Sequence, residues 1–174
     1  MLERTIGVAV AIPEPFGPEL QGWREAFGDP LARAIPPHVT LLPPTVVADD
    51  DLAAIEAHLC EVAGRSTAFP MHLRGTGTFR PVSPVVFVAL VEGIAGCERL
   101  ESAIRSGPLQ RELSFNYHPH VTVAHQLAEA ALDEAFDKLA GYDARFVVDG
   151  FSLFEHGADE VWRPRVRFRF GGPR

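Results

Sequence analysis

Pro36-Pro37-His38-Val39-Thr40-Leu41 and His118-Pro119-His120-Val121-Thr122-Val123 decide how this chain is read. Each stretch sets a His and a Thr two residues apart inside a run of aliphatic and β-branched residues. Side chains two apart on a β-strand leave the same face. Each run therefore presents an imidazole beside a hydroxyl, with the intervening valine on the opposite face. Two such strands in one small domain make a symmetric site around one ligand.

That constellation suits chemistry at phosphorus. An imidazole titrates near pH ~6.5, so one His can be neutral while its partner is protonated. The neutral ring takes a proton from water or a hydroxyl, and the protonated ring gives one to the leaving oxygen. Thr40 and Thr122 can donate to the non-bridging phosphate oxygens. One His-x-Thr in a strand is an everyday coincidence. Two copies with the same valine between, each preceded by Pro and followed by aliphatics, are not.

Outward from the motifs, the pattern gives a consistent order of elements. Thr5–Ile12 reads as a buried strand ended by Pro13 and Pro15, and Pro18–Phe27 as an amphipathic helix stopped by Gly28-Asp29-Pro30. Pro43-Pro44 closes the first motif strand. Asp49-Asp50-Asp51 opens a helix over Leu52–Ala63, with acidic residues at its positive end and Gly64 at its stop. Thr67–Phe79 reads as a strand interrupted near Gly75 and Gly77, Pro84–Val91 as a buried strand, and Gly96–Ser106 as a helix. After the second motif come a helix over Leu127–Ala140 and two strands, Arg145–Phe154 and Val161–Phe170.

The motif histidines lie 82 residues apart, and shifting by that distance lays the helices flanking one motif onto those flanking the other. A duplicated unit packed about a pseudo-two-fold would bring both motif strands to one central cleft. The order of elements predicts an α+β domain with largely antiparallel sheets spanning residues 1–174, built from two lobes.

Composition narrows the function. A formal charge of −7 argues against broad binding to duplex nucleic acid, but not against a phosphate held in a local pocket. Apolar runs are strand-sized, well short of a membrane span. The N-terminus has no signal-peptide pattern, and Cys60 and Cys97 have no metal-binding spacing. The expectation is a cytoplasmic monomer needing neither cofactor nor membrane.

His38-Val39-Thr40-Leu41 and His120-Val121-Thr122-Val123 resemble the paired signature of the two-histidine phosphoesterase superfamily. It includes 2′-5′ RNA ligases and RNA 2′,3′-cyclic phosphodiesterases. The likeness extends to Gly77-Thr78-Phe79-Arg80 before a buried strand and to the element order. It implies a bilobal fold with two antiparallel sheets facing across a cleft, and an enzyme that opens a 2′,3′-cyclic phosphate or ligates in reverse. His38 and His120 would share the acid and base roles, with Thr40 and Thr122 on the phosphate. The ligand would be a cyclic nucleotide or an RNA end bearing a 2′,3′-cyclic phosphate. One departure stands out: where RNA-processing members often carry Arg, this chain has His125, which weakens the phosphate contact there.

Further candidates flank the motifs. Tyr117 and Phe115 could stack on a base, as could Phe79; Arg80 and Arg74 could attract a phosphate. Arg163, Arg165, Arg167 and Arg169 alternate along the last strand and read first as a solvated face, with one or two facing the cleft as the functional version. His58, His72 and His156 have no evident partner in the sequence. Two other functions compete: a nucleotide- or RNA-binding module with little turnover, and, more remotely, a metallohydrolase using His118, His120 and His125.

Overall fold

The computed structural model describes residues 2–171. β1 (Glu3–Ala11) leads through α1 (Phe16–Ala26) to β2 (His38–Ala48), and a single 3₁₀ turn precedes α2 (Leu52–Gly64). β3 (Phe69–Thr78), β4 (Val85–Glu92), α3 (Ile94–Ile104), β5 (His120–His125), α4 (Glu129–Lys138), β6 (Asp143–Val148), β7 (Gly150–His156) and β8 (Trp162–Arg169) follow. The strands form two antiparallel four-stranded sheets, ordered β2-β1-β7-β8 and β5-β4-β3-β6. This is the expected α+β architecture.

Each motif strand is an edge strand, paired only to the strand that begins its own half. The helices exchange partners between the halves: α1, which leaves β1, lies against β5, and α3, which leaves β4, lies against β2. β2 and β5 are thereby brought against each other. The core is one continuous cluster that includes Ile6, Leu20, Leu59, Met71, Ile104, Leu132, Phe151 and Leu153, all fully buried. Each such side chain contributes roughly 1.5–3 kcal/mol by leaving water.

Three readings of the sequence are corrected. Pro43-Pro44 does not end the first motif strand; β2 runs on to Ala48. The register steps from Ile6↔Thr45 to Val8↔Leu42, so the two prolines fall in a bulge on an edge strand, where missing N–H donors cost no ladder bonds. The stretch 145–154 is not one strand. It breaks at Asp149, with β6 pairing β3 in one sheet and β7 pairing β1 and β8 in the other. Gly64 is the last residue of α2 rather than a left-handed stop, and Arg65 caps the helix.

Candidate active site

His38 is the first residue of β2 and His120 the first of β5. Each imidazole makes the same local bond. Nδ1 of His38 donates to the Pro36 carbonyl at 2.8 Å, and Nδ1 of His120 donates to the His118 carbonyl at 2.6 Å. The intervening Pro37 and Pro119 hold the preceding residue extended, which brings that carbonyl under the ring. The bond fixes the tautomer and leaves Nε2 of both rings available to a ligand. Thr40 and Thr122 share the strand faces of these rings, and among the described residues neither hydroxyl has a protein hydrogen-bond partner.

The lobes are tied at this point by the half-buried Tyr117, whose hydroxyl donates to the Thr40 carbonyl at 2.7 Å. Burial pushes that phenol's pKa upward. The His38 imidazole is pushed down to about 4, chiefly by burial and further by the charges of Arg24 and His120, against the Pro36 carbonyl. Burial also lowers His120, helped by the charge of His118 and opposed by the His118 carbonyl.

A cavity of about 710 Å³ opens beside His120, walled by Thr40, Phe79, Val82, Phe115, Tyr117 and His118. Phe79 meets the His120 ring edge-on at 4.9 Å, and Phe87 approaches it at 5.3 Å. Gly77 permits this: a Cβ there would lie 2.6 Å from the Phe87 ring. Another hollow, about 490 Å³ between α2 and α3, contains none of the motif residues.

Tyr117 and Phe79 thus lie with the motif residues. His125 comes to their sheet face because a bulge steps the register from Phe87↔Thr122 to Val86↔Ala124. It does not line the large cavity.

The Arg80 guanidinium pairs with Glu129 at 2.9 Å and Asp133 at 2.8 Å, both on α4, while its Nε donates at 3.1 Å to the hydroxyl of Thr78 in the cavity wall. Arg80→Gln is expected to change turnover by less than about threefold, the scale of a lost exposed pair, whereas a larger loss in steady-state kinetics would return it to the site. The arginines of β8 are a solvated face: Arg163 pairs with Asp159, Arg165 with Glu56 and Glu155, and Arg167 and Arg169 with Asp149.

Two other histidines do have partners. His72 bonds Asp143, and His58 donates to the Ile104 carbonyl. Among the described residues no three His, Cys, Asp or Glu side chains converge as metal ligands; His118, His120 and His125 are not drawn into one cluster.

Arg24 and Asp29 are what sequence reasoning missed. They form a buried pair at 2.7 Å, with side chains 6% and 0% exposed. The Asp29 carboxylate also accepts the backbone N–H groups of Leu31 and His125. The pair joins the end of α1 to the end of β5, and its arginine is the charge felt by His38. In the sequence, Arg24 is one polar residue on an amphipathic helix and Asp29 one residue of a turn.

A family model described as the 2′-5′ RNA ligase superfamily matches residues 12–160. A Bacillus cytotoxicus protein named "Putative phosphoesterase" is 26% identical over 168 residues, spanning 95% of this chain and 96% of that one. Escherichia coli LigT, solved in complex with 3′-AMP, has a TM-score of 0.73 at 20% identity, with 97% of this chain and 99% of that chain covered. Thermus thermophilus TT0787 has a TM-score of 0.63 at 22% identity, covering 98% and 100%. Kluyveromyces marxianus Usb1 has a TM-score of 0.53 at 13% identity, covering 96% and 98%.

Proposed function

The chain belongs to the 2′-5′ RNA ligase superfamily, and from that premise we propose that this phosphoesterase opens a 2′,3′-cyclic phosphate by acid–base catalysis between His38 and His120. The substrate is a small cyclic nucleotide or an RNA end. The observation that carries the reading is the matched anchoring of both rings through Nδ1, which leaves Nε2 of each available to a ligand on two strands that lie against each other.

In the proposed reaction a water attacks phosphorus as its proton passes to Nε2 of His38, the ring most strongly held neutral. The bond from phosphorus to one ribose oxygen breaks, and that oxygen takes the Nε2 proton of His120. The product is a nucleoside 2′- or 3′-monophosphate. Thr40 and Thr122 donate to the non-bridging oxygens, where charge grows in the transition state. The apolar walls by Phe79 and Tyr117 suit a stacked base.

The pH profile follows from the two lowered values. The base works only when neutral, so kcat/KM rises as pH passes His38's value of about 4. The acid works only when protonated, and its value lies below the ordinary histidine 6.5, so the rate falls before pH reaches that level. A bell with its maximum between about pH 4 and 6.5 is expected. Turnover of the four nucleoside 2′,3′-cyclic monophosphates in excess chelator, followed across pH, tests this. A maximum above pH 8 would overturn the assignment of roles; binding without product would point to a nucleotide-binding module instead.

A further inference from the structure

The chain does not approach the two motif histidines in the same way. Residues 29–37, which lead into His38, are tied to three other parts of the fold. The Asp29 carboxylate accepts the backbone N–H of His125 at the end of β5. The Ile12 N–H donates to the Pro37 carbonyl at 3.1 Å, and the Trp162 N–H to the Ala34 carbonyl at 2.7 Å. Residues 111–119, which lead into His120, contain no helix or strand and, among the described residues, make no backbone–backbone hydrogen bond. One side chain compensates: the Tyr117 hydroxyl donates across the lobes to the Thr40 carbonyl of β2. Apart from the bond between the His118 carbonyl and Nδ1 of His120, it is the one hydrogen bond that joins 111–119 to the rest of the described chain.

This strut has no twin in the first half of the chain. The residue 82 places before Tyr117 is Ile35, whose side chain has no donor. Tyr117 is also the neighbour of His118, whose carbonyl orients the His120 ring. A shift of the phenol therefore moves the peptide on which His120 rests. The His118 ring packs edge-on against Phe79 and Phe87, each at 5.3 Å, but these two follow or lie in strands of its own sheet. They hold 111–119 within its lobe, and only the phenol refers it to β2, where Thr40 stands two residues from His38. Burial keeps the phenol protonated, so it remains a donor throughout the pH range of the proposed reaction.

Resting on the acid–base function proposed above, we infer that Tyr117 is a positioning residue, whose hydroxyl sets the His120 imidazole against His38 and Thr40 through the carbonyls of Thr40 and His118. The phenol acts without touching phosphorus and without giving up its proton. Aim is what it supplies, and a misplacement of about 1 Å can cost on the order of 10²-fold in rate. Removing the hydroxyl while keeping the ring leaves the apolar wall of the cavity in place. Binding of the nucleotide then survives, while proton delivery to the leaving oxygen suffers, so the loss falls on kcat rather than on KM.

The test is Tyr117→Phe against the wild type with adenosine 2′,3′-cyclic monophosphate. We expect kcat to fall about tenfold or more with KM within about twofold. The thermal midpoint should drop by less than about 4 °C, the scale of one lost hydrogen bond. A second readout does not depend on turnover: solvent exchange of the ring N–H protons, followed by NMR. The Nδ1 proton of His120 should exchange about tenfold faster in Tyr117→Phe. The Nδ1 proton of His38 on Pro36 and the Nε2 proton of His58 on Ile104 should stay within about twofold, since neither bond runs through residues 111–119. An unchanged kcat, a loss carried by KM alone, or equal acceleration at all three rings would overturn the inference. If the wild type does not turn over the substrate, the acid–base reading fails on its own. Selective acceleration at His120 would still uphold Tyr117 as the group that places that ring, and its absence would overturn it.

Discussion

His120→Ala is expected to lower kcat/KM for nucleoside 2′,3′-cyclic monophosphates by about 10³-fold or more, and His38→Ala by a similar factor. Proton transfer by one positioned side chain is worth about 10²–10⁴-fold, and in the proposed reaction each ring would also place the substrate against a threonine. The two losses should not add. Once one ring is gone the other has no partner for a concerted transfer, so His38→Ala/His120→Ala should fall little below the worse single variant. Folding should survive, because each imidazole is only partly buried and its protein hydrogen bond is to a carbonyl two residues away. Circular dichroism and a thermal midpoint near wild type would separate lost chemistry from lost structure. Either variant retaining a tenth or more of wild-type kcat/KM would remove that ring from the mechanism.

Asp29→Ala is expected to destabilise the fold by about 3–5 kcal/mol, the cost of leaving a buried charge without its partner. Both side chains of the Arg24–Asp29 pair are out of solvent, unlike the β8 pairs, which are each worth about 0–1 kcal/mol. The carboxylate also serves two backbone N–H groups, at Leu31 and at His125, so its removal orphans three donors. Urea unfolding should show a lower midpoint at an unchanged slope. Arg24→Met in the Asp29→Ala background should restore part of the loss by withdrawing the stranded charge. A single-variant loss below about 1 kcal/mol would mean that water reaches the guanidinium and the pair is not structural.

Much of the fold was legible because its signals are local. The buried runs around Ile6–Val10 and Val85–Leu90 read as strands from continuous burial. The helices read from their apolar stripe, and the motif strands from their period of two. What misled was local as well. Pro43-Pro44 looks like a strand end, yet it is compatible with an edge-strand bulge, and nothing nearby says that β2 has a neighbour on one side only. Residues 145–154 look like one strand because both parts are apolar and extended; only the partners on either side of Asp149 show that they belong to different sheets. At the site, the His-x-Thr pairs and the aromatic candidates Phe79 and Tyr117 could be named from the chain, while Arg24, Asp29 and Phe87 could not.

Residue type and the alternation of an extended backbone were enough to name the groups that can do chemistry and the face of each strand they leave. The sequence also determined that there are two such strands in equivalent settings, and the prolines before both histidines already encode the bond that orients each ring. What these groups meet was set by the packing of the folded chain. Arg80 could have faced a phosphate but is taken by Glu129 and Asp133, roughly 50 residues farther along the chain. Arg24 could have been a solvated helix charge but is buried on Asp29 beside the motif strands. Trp162, near the other end of the chain, borders His38 because β8 joins the sheet that begins with β2. Each of these outcomes depends on which distant charge or surface a side chain meets once the sheets are paired and the helices exchanged, and no local pattern carries that information.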